Sequence, residues 1–293
     1  MRRKSDKHTP MEIKSLADTG FEALFRAFSA AFADYEMQLN ETQLCRMLKR
    51  RGFDPRLSFA AFDGGRIAAF TLNGIGAYDG LPTAYDTGTG TLEAYRGQGL
   101  ATRIFEHSIP YLKEAGIGRY LLEVLQHNTK AVSVYRKLGF EVIREFNYFS
   151  QEREAADVPA KAFQSPYTVR QTDTRNYDEA SGFWDFRPSW QNSFDAIARS
   201  PKDFVSFGAF AGERPVGYCV FEPASGDITQ LAVDKGFRGR GVGSRLLGEA
   251  LRLIEAGAVK VVNTDTACES VTRFLERRHI PVRGRQFEMI RTL

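Results

Sequence analysis

The chain has 293 residues, of which 43% are hydrophobic and 26% charged, and its formal net charge at pH 7 is +4. This length is comfortable for two domains, and the composition is that of globular proteins, which excludes a disordered or fibrous chain. No apolar run approaches the roughly 18 residues of a membrane-spanning helix, and the modest charge argues against a nucleic-acid-binding surface.

The chain begins with basic residues and contains three scattered cysteines, Cys45, Cys219 and Cys268. Their odd number and irregular spacing predict neither a disulfide framework nor a zinc site, so we expect no metal and a reducing, cytoplasmic location. Because no apolar segment follows the basic residues, we interpret residues 1–10 as a flexible tail rather than a secretory signal.

The first half of the chain predicts a strand and two helices, then an antiparallel hairpin, then alternating strands and helices. Four phenylalanines between residues 21 and 32 recur at helical spacing. Asp63-Gly64-Gly65 separates two apolar runs, which is a hairpin signal. In order, we predict a strand over residues 11–15, helices over 21–32 and 41–50, strands over 57–62, 67–72 and 85–92, a helix over 100–115, a strand over 120–124, a helix over 129–138 and a strand over 141–149.

The second half repeats this order after a polar stretch. Residues 151–165 contain Pro159 and lack both periodicities, so we interpret them as a linker between domains 11–150 and 166–293. After it, we predict a strand over 167–170, a helical region to about 197, strands over 204–210, 216–221 and 227–233, a helix over 242–254, a strand over 259–263, a helix over 269–278 and a strand over 286–290. Helices and strands alternate only after an antiparallel hairpin in each half, which predicts a mixed α/β fold rather than a doubly wound parallel sheet.

One glycine-rich loop occurs twice, about half the chain apart. The first copy is Tyr95-Arg96-Gly97-Gln98-Gly99-Leu100-Ala101-Thr102, and the second is Phe237-Arg238-Gly239-Arg240-Gly241-Val242-Gly243-Ser244. Each follows a predicted strand and opens a predicted helix, where unpaired backbone N–H groups and the helix dipole favour an anion such as phosphate. The repeat therefore indicates duplication of a domain that binds a phosphate-bearing cofactor.

Two other phosphate-binding classes fit the loop less well. Gly97 and Gly99 resemble part of a dinucleotide-binding fingerprint, but Thr102 stands at the third glycine and neither loop follows the first strand of its domain. The chain contains no Gly-Lys-Ser/Thr, which excludes a P-loop NTPase.

These residues resemble the GNAT superfamily of acyl-CoA-dependent N-acetyltransferases, in tandem. The family's loop motif, Arg/Gln-x-x-Gly-x-Gly/Ala, fits both copies. The likeness continues in residues 228–234, Leu122-Glu123-Val124, Asn128, Ala131, Tyr135 and Leu138-Gly139-Phe140. It covers most of the chain, and it implies two tandem GNAT-type domains, each a central, mostly antiparallel twisted sheet flanked by helices.

The resemblance implies acetyl-CoA as the cofactor and a primary amine as the acetyl acceptor. The loop N–H groups would face the pyrophosphate, the strand before the loop would diverge from the next strand along the sheet, and the pantetheine would pair with the exposed backbone. The implied cofactor-binding residues are Gly90, Thr91, Leu92, Arg96, Gly97, Gln98, Gly99, Leu100, Ala101, Thr102 and Asn128 in the first copy and Leu231, Val233, Arg238, Gly239, Arg240, Gly241, Val242, Gly243 and Ser244 in the second.

Three side chains of the first copy are the main candidates for catalysis, and His127 is a weaker fourth. Direct attack of an amine on a thioester expels a thiolate, which Tyr135 would protonate as general acid. An amine that is protonated at neutral pH also needs a base, and Asp86 or Glu123 would act directly or through water, with His127 as a further candidate. The alternatives are a half-buried structural tyrosine and ordinary solvated or paired carboxylates.

The second copy departs from this pattern. Leu275 stands at the tyrosine position, Cys268 at the asparagine position and His279-Ile280 in place of Gly-Phe. Leucine cannot donate a proton, so we expect the second domain to bind coenzyme A without the family's usual acid. A non-catalytic acyl-CoA-binding sensor or scaffold is the competing function.

The acceptor itself stays open at this point. By the resemblance, residues 32–51 shape the acceptor pocket, and Asp34, Tyr35 and Glu36 suit a cationic amine. Residues 184–190 could be an acceptor wall or a domain contact. A small amine, an aminoglycoside-like compound, a peptide N-terminus and a lysine side chain all remain as acceptors, and both a monomer and a homodimer remain open.

Overall fold

The computed structural model describes residues 11–34, 38–159, 162, 164, 166–173 and 180–293. The predicted tail, the acceptor-pocket candidates Tyr35 and Glu36, and parts of the predicted linker lie outside the described residues. The described chain forms two compact units. The first contains the described residues up to Glu123 with Thr129–Glu141 and Met289–Leu293, and the second contains Val124–Asn128 and the described residues of Val142–Glu288.

The first unit is a mostly antiparallel sheet with helices packed against it. Its strands follow the order β1-β2-β3-β4-β5, and among these neighbours only β4 and β5 are parallel in the described residues. β5 belongs to this unit up to Glu123. The elements are β1 (Glu12–Ser15), α1 (Phe21–Ala31), α2 (Glu41–Arg51), β2 (Phe59–Asp63), β3 (Arg66–Tyr78), β4 (Leu81–Thr91), α3 (Leu100–Glu114), β5 (Arg119–Leu125) and α4 (Thr129–Lys137).

Helices α1 and α2 cover one face of this sheet because each presents an apolar stripe at helical spacing. Phe28 of α1 packs on Phe70 of β3, with their ring centroids 6.0 Å apart. The side chain of Asn40 accepts a hydrogen bond from the backbone N–H of Gln43, and the side chain of Gln43 accepts one from the backbone N–H of Asn40, so a capping box begins α2. These contacts hold the helices beside the strand that carries the candidate base.

The second unit repeats the architecture. Its strands follow the order β7-β8-β9-β10-β11-β6, and among these neighbours only β10 and β11 are parallel in the described residues. The elements are β6 (Glu141–Glu152), β7 (Thr168–Gln171), α5 (Phe194–Arg199), β8 (Val205–Ala211), β9 (Arg214–Glu222), β10 (Asp227–Val233), α6 (Val242–Leu253), β11 (Ala258–Asp265), α7 (Glu269–Glu276) and β12 (Val282–Thr292). β12 belongs to this unit up to Glu288.

The structure confirms the predicted mixed α/β fold and corrects several elements. β3 and β4 are both longer than predicted and form a second hairpin, with its turn at Asp79-Gly80, that was not predicted from the sequence, although Asp-Gly is itself a turn signal. In the predicted helical region before residue 197, the described residues form one α-helix, α5, and two 3₁₀ turns. The serines, glycine and proline of that region favour turns over a long helix.

The division of the chain differs from the predicted domain and linker boundaries. Most of β6 belongs to the second unit, where Phe146 and Phe149 are fully buried, and the last five residues of the chain belong to the first. Residues 151 and 152, predicted as linker, pair with β11. Each unit thus contains a strand segment from the other half of the sequence, because the alternation of β6 specifies a buried face but not the sheet that it joins.

Two further properties concern the whole described chain. No helix in the described residues combines the length and the apolar character needed to cross a membrane. Cys45 is an exposed free thiol, whereas Cys219 and Cys268 are buried free thiols. Burial raises the pKa of Cys219 well above its ordinary value.

Candidate active site

The candidate site of the first unit lies where β4 and β5 part. The two strands pair from Thr83 to Tyr85 of β4 only, and β4 then continues for six residues without β5 as a partner. This is the divergence that the resemblance implied. Asp86 is the first residue past the pairing, so its position at the base of the gap follows from the strand geometry.

A β-bulge at Thr87 sets the direction of Asp86. Leu72 of β3 is opposite Gly88, whereas the next residue, Asn73, is opposite Asp86, so Thr87 is the extra residue on β4. A bulge reverses the normal alternation of side chains and re-aims its neighbours. Asp86 and Thr89 therefore interact, although side chains three positions apart on a regular strand point to opposite faces.

Asp86 and Tyr135 are joined by a hydrogen bond. The Tyr135 hydroxyl donates to Oδ2 of Asp86 at 3.2 Å, and the Thr89 hydroxyl donates to the same oxygen at 2.9 Å. The backbone N–H of Gly88 donates to Oδ1 at 3.0 Å. The Tyr135 ring packs edge-on against Phe105, with centroids 5.8 Å apart, which fixes the phenol above the carboxylate.

Burial changes the acidity of this carboxyl group. Asp86 is 9% exposed, and desolvation raises its pKa from 3.8 to about 6. The hydrogen bonds from Thr89 and Tyr135 and the charge of Arg51 favour the ionised form, but they do not cancel the effect of burial. The group is therefore ionised at neutral pH yet close to its titration midpoint, which suits a general base.

Glu123 lies on the neighbouring strand β5, close to Tyr85. Burial, followed by the charge of Glu123 and a hydrogen bond with it, raises the pKa of Tyr85 well above its ordinary value. The Arg51 guanidinium lies 6.0 Å from the Tyr85 ring and donates to the Thr87 carbonyl at 3.0 Å. Sequence reasoning missed Thr89 and Arg51, because neither the bulge nor the end of α2 has a sequence signal that links it to Asp86.

Both glycine loops have the geometry of an anion site. In α3 the first backbone hydrogen bond runs from Arg103 N–H to Gly99 O at 3.1 Å, so the three preceding N–H groups have no partner within the helix. In α6 the corresponding bond runs from Arg245 to Gly241 at 2.9 Å. A Cβ added at Gly99 or Gly241 would meet no atom within 4 Å, so the space before each helix is open.

The first arginine of each loop makes the same contacts with its own unit. Arg96 donates to the Thr91 and Ala31 carbonyls and pairs with Asp34 at 2.8 Å. Arg238 donates to the Val233 and Phe183 carbonyls and pairs with Asp185 at 2.8 Å. Both guanidinium groups thus tie the end of a strand to the preceding segment. Asp34 is correspondingly engaged with arginine, which argues against its predicted role with a cationic acceptor.

The second unit contains a cavity of about 1040 Å³ where β10 and β11 part. Asp227 with Lys260 is the β10–β11 pair in the described residues, and the strands diverge beyond it. The second-copy residues predicted to bind the cofactor all line this cavity: Leu231, Val233, Arg238, Gly239, Arg240, Gly241, Val242, Gly243 and Ser244. Trp184, Asp185, Phe186 and Pro188 also line it. Trp190, from the same segment, is buried.

The second unit has no counterpart of the three catalytic candidates. When the two glycine loops are superimposed in sequence, Asp86 aligns with Ile228. When the starts of α4 and α7 are superimposed, Tyr135 aligns with Leu275. The same alignment places Asn263 at the position of Glu123. Each of the three replacements is 1% exposed. The bulge is retained at Thr229. The cleft has thus kept its shape while losing its titratable groups at these positions.

The remaining sequence candidates have ordinary surroundings. Asn128 precedes α4, and its N–H donates to the Leu125 carbonyl at 3.0 Å. His127 is exposed in the same turn. The Cys268 sulfur contacts the Ser270 hydroxyl at 3.4 Å. Among the described residues, no group of three His, Cys, Asp or Glu could hold a metal ion.

A sequence profile of the Acetyltransferase (GNAT) family matches residues 19–140 and again residues 165–279. The chain belongs to the GNAT acetyltransferase family. This GNAT chain is 33% identical to mycothiol acetyltransferase of Thermobifida fusca over 126 residues, which are 40% of the chain and 39% of that protein. It is 31% identical to N-alpha-acetyltransferase 30 of Schizosaccharomyces pombe over 87 residues, which are 29% of the chain and 58% of that protein. The chain thus spans 36–40% of the length of the mycothiol acetyltransferases it matches.

Solved structures show the same fold over nearly the whole GNAT chain. A GCN5-related N-acetyltransferase from Sphaerobacter thermophilus has a TM-score of 0.69 at 15% identity and covers 96% of this chain and 95% of its own. A tandem GNAT protein from the clavulanic acid biosynthesis pathway has a TM-score of 0.68 at 17% identity and covers 96% of this chain and 98% of its own. At these identities the likeness is one of fold.

Proposed function

We propose that this GNAT protein transfers an acetyl group from acetyl-CoA to a primary amine, with catalysis in the first unit. The hydrogen bond between Tyr135 and Asp86 is the observation that carries the proposal, because it links a potential acid to a potential base. When bound, acetyl-CoA supplies the activated acetyl group. The N–H groups at the start of α3 and the side of Gly90–Leu92 that β5 leaves unpaired would hold it, and the open space at Gly99 fits that role.

Asp86 and Tyr135 would together move one proton from the amine to the departing sulfur. The Asp86 carboxylate takes a proton from the amine as the new C–N bond forms. Tyr135 gives its phenolic proton to the thiolate as the C–S bond breaks. The protonated Asp86 then returns a proton to the Tyr135 oxygen across their hydrogen bond, so both groups regain their starting states.

Glu123 is the alternative base. Glu123 interacts with Tyr85, whereas the carboxylate of Asp86 accepts a hydrogen bond from the proposed acid, and burial raises its pKa to about 6. A base that titrates near the working pH combines a useful ionised fraction with useful proton affinity. We therefore assign the base to Asp86, and Glu123→Gln is the matched control for Asp86→Asn.

The proposed acceptors are primary amines, and their identity is a matter for a screen. The relative named N-alpha-acetyltransferase 30 suggests a peptide N-terminus as one class to include, and an aminoglycoside-like compound is a second class that the sequence leaves open. A lysine peptide and a small diamine complete the panel. If no member of any of these classes is acetylated, the proposal is contradicted.

A double-mutant cycle of Tyr135→Phe and Asp86→Asn tests the mechanism with the best acceptor of that screen. Residues that act as one unit give strongly non-additive losses, so the double variant should be little slower than the slower single variant. Losses in kcat that multiply would show that the two side chains act independently. Unchanged turnover in both single variants would remove Asp86 and Tyr135 from the mechanism. Binding of acetyl-CoA by the unaltered chain without any turnover would favour a sensor or scaffold.

A further inference from the structure

Arg278 lies at the phosphate-loop end of the cavity in the second unit. It follows α7 and lines the cavity, and its Nη2 donates to the Ser244 hydroxyl at 2.6 Å. Ser244 belongs to the first turn of α6, where the backbone N–H groups lack helical partners. The guanidinium is thus fixed beside the end of the helix that favours anions.

The first unit has no cation at the position equivalent to Arg278. Alignment of the two copies places Leu138 at the position of Arg278 and Thr102 at the position of Ser244. Leu138 is an apolar, buried residue. The arginine is therefore a property of the second cleft and not of the duplicated loop.

Arg278 also differs from two other arginines that line the cleft, Arg238 and Arg273. Arg238 is paired with Asp185 at 2.8 Å, and Arg273 is paired with Glu269. The Nε of Arg278 is buried and has no hydrogen-bond partner in the described part of the chain. The Phe274 ring, 5.4 Å away, limits its movement. A buried donor without a partner is costly, and a phosphate oxygen in the adjoining cavity would supply the missing acceptor.

The same cleft has no titratable side chain at the two positions that carry the proposed acid and base in the first unit. Ile228 and Leu275 stand where the first unit has its proposed base and acid. The hydroxyl of Tyr218, which also lines the cavity, accepts from Trp184 and donates to Gln230, each at 2.6 Å. Its pKa is raised by burial, so it is no substitute for an acid–base pair.

We propose that the second cleft is a binding-only site for coenzyme A thioesters in which Arg278, docked on Ser244, holds a phosphate group. This inference rests on the proposed function for its ligand. The thioester bound there is not consumed, because the cleft offers no base for the amine and no acid for the thiolate at the equivalent positions.

Calorimetric titration of the full chain with acetyl-CoA tests the binding. We expect two equivalents for the unaltered chain. Arg278→Leu installs the residue of the first copy, and it should weaken one equivalent by about 10- to 100-fold, the range expected for a charged hydrogen bond. Arg278→Gln provides a second variant should the leucine reduce folding. Arg252→Leu, at the exposed far end of α6, makes the same charge change and should leave both equivalents intact.

The outcomes separate this inference from the proposed function. A single equivalent that is insensitive to Arg278→Leu would overturn the second site and leave catalysis in the first unit standing. No binding at all would overturn both. Two equivalents of unchanged affinity in both Arg278 variants would remove Arg278 from the site.

Turnover tests whether the second site is silent. Residual activity of Tyr135→Phe that disappears when Arg278→Leu is added would show that the second cleft reacts, which contradicts a binding-only site. Residual activity that does not respond to Arg278→Leu supports the binding-only site and counts instead against Tyr135 as the acid.

Discussion

The hydroxyl of Tyr135 lies 3.2 Å from Oδ2 of Asp86, and it is the donor in that hydrogen bond. The carboxylate is buried, so its charge is sustained by a few neighbouring donors rather than by solvent. A change in either side chain should consequently alter the proton affinity of the other. This coupling makes the pair testable by pH as well as by rate.

Tyr135→Phe removes the proposed acid and one donor to Asp86. We expect kcat to fall by about 10²- to 10⁴-fold, the usual contribution of general acid–base catalysis. The KM for acetyl-CoA should change little, since the loop is untouched. In the unaltered chain the hydrogen bond from Tyr135 lowers the pKa of Asp86. Without that bond the pKa should rise, so the midpoint of the acid limb of the pH–rate profile should move upward from about 6. A rate loss without that movement would separate Tyr135 from Asp86.

Asp86→Asn removes the titrating base. In the unaltered chain kcat/KM should rise as the pH increases through about 6, because Asp86 becomes ionised there. The variant should be slower at neutral pH and should lack that limb. Glu123→Gln, measured in parallel, should keep the rise of kcat/KM near pH 6. If that rise disappears in Glu123→Gln, the base is Glu123.

The same substitution should change how stability depends on pH. Folding raises the pKa of Asp86 from 3.8 to about 6, so between these values the folded state binds more protons than the unfolded state. The contribution of this group to stability therefore declines as pH rises across that window. The Tm of Asp86→Asn minus that of the unaltered chain should increase from pH 4 to pH 7, and a constant difference would contradict a raised pKa.

Gly90 should tolerate no side chain, whereas its neighbour on the same strand should. A Cβ at Gly90 would lie 2.6 Å from Phe70 Cζ and 2.9 Å from the Ala31 Cβ. Gly90→Ala should therefore cost about 1–3 kcal/mol, as overpacking usually does. At Gly88 the nearest atom, on Phe28, would be 3.4 Å away, so Gly88→Ala is the matched control. Denaturant unfolding of the two variants measures the difference, and equal losses would contradict this packing argument.

The two arginines of the second loop should differ in how much they contribute to stability. Arg238→Ala breaks the pair with Asp185 and two hydrogen bonds to carbonyls, and it should cost about 1–2 kcal/mol, since the pair is only partly exposed. Arg240 is exposed and contacts the Phe237 ring, so Arg240→Ala should leave the Tm nearly unchanged. Thermal unfolding of both variants checks this, and similar Tm values would show that Arg238 is not structural.

Much of the fold followed from local patterns. The spacing of apolar residues gave the strands and helices around each loop, and the position of two glycines in each loop indicated the helix N-termini. The long β3–β4 hairpin was missed, because the apolar and small residues of β3 run on without alternation past Leu72. The sequence of its turn, Asp79-Gly80, is nonetheless one that predicts a hairpin.

The site was predicted as a set of residue types rather than as a geometry. Tyr135 and Asp86 could each be named from the sequence, but their hydrogen bond depends on the bulge at Thr87. A bulge is a property of pairing between strands, so one strand's sequence does not specify it. The loop arginines were predicted to bind the cofactor, and their contacts with Asp34 and Asp185 depend on segments distant in sequence.

The exchange of strand segments between the halves bears on the history of the duplication. β6 follows the first copy in sequence, yet its Phe149 packs in the core of the second unit, while the last five residues of the chain belong to the first unit. Either copy released as a separate gene product would carry an orphaned strand and expose the edge that it had lost. Each unit thus depends on a segment encoded in the other half of the sequence, so a gene fission between the two copies would leave neither unit complete.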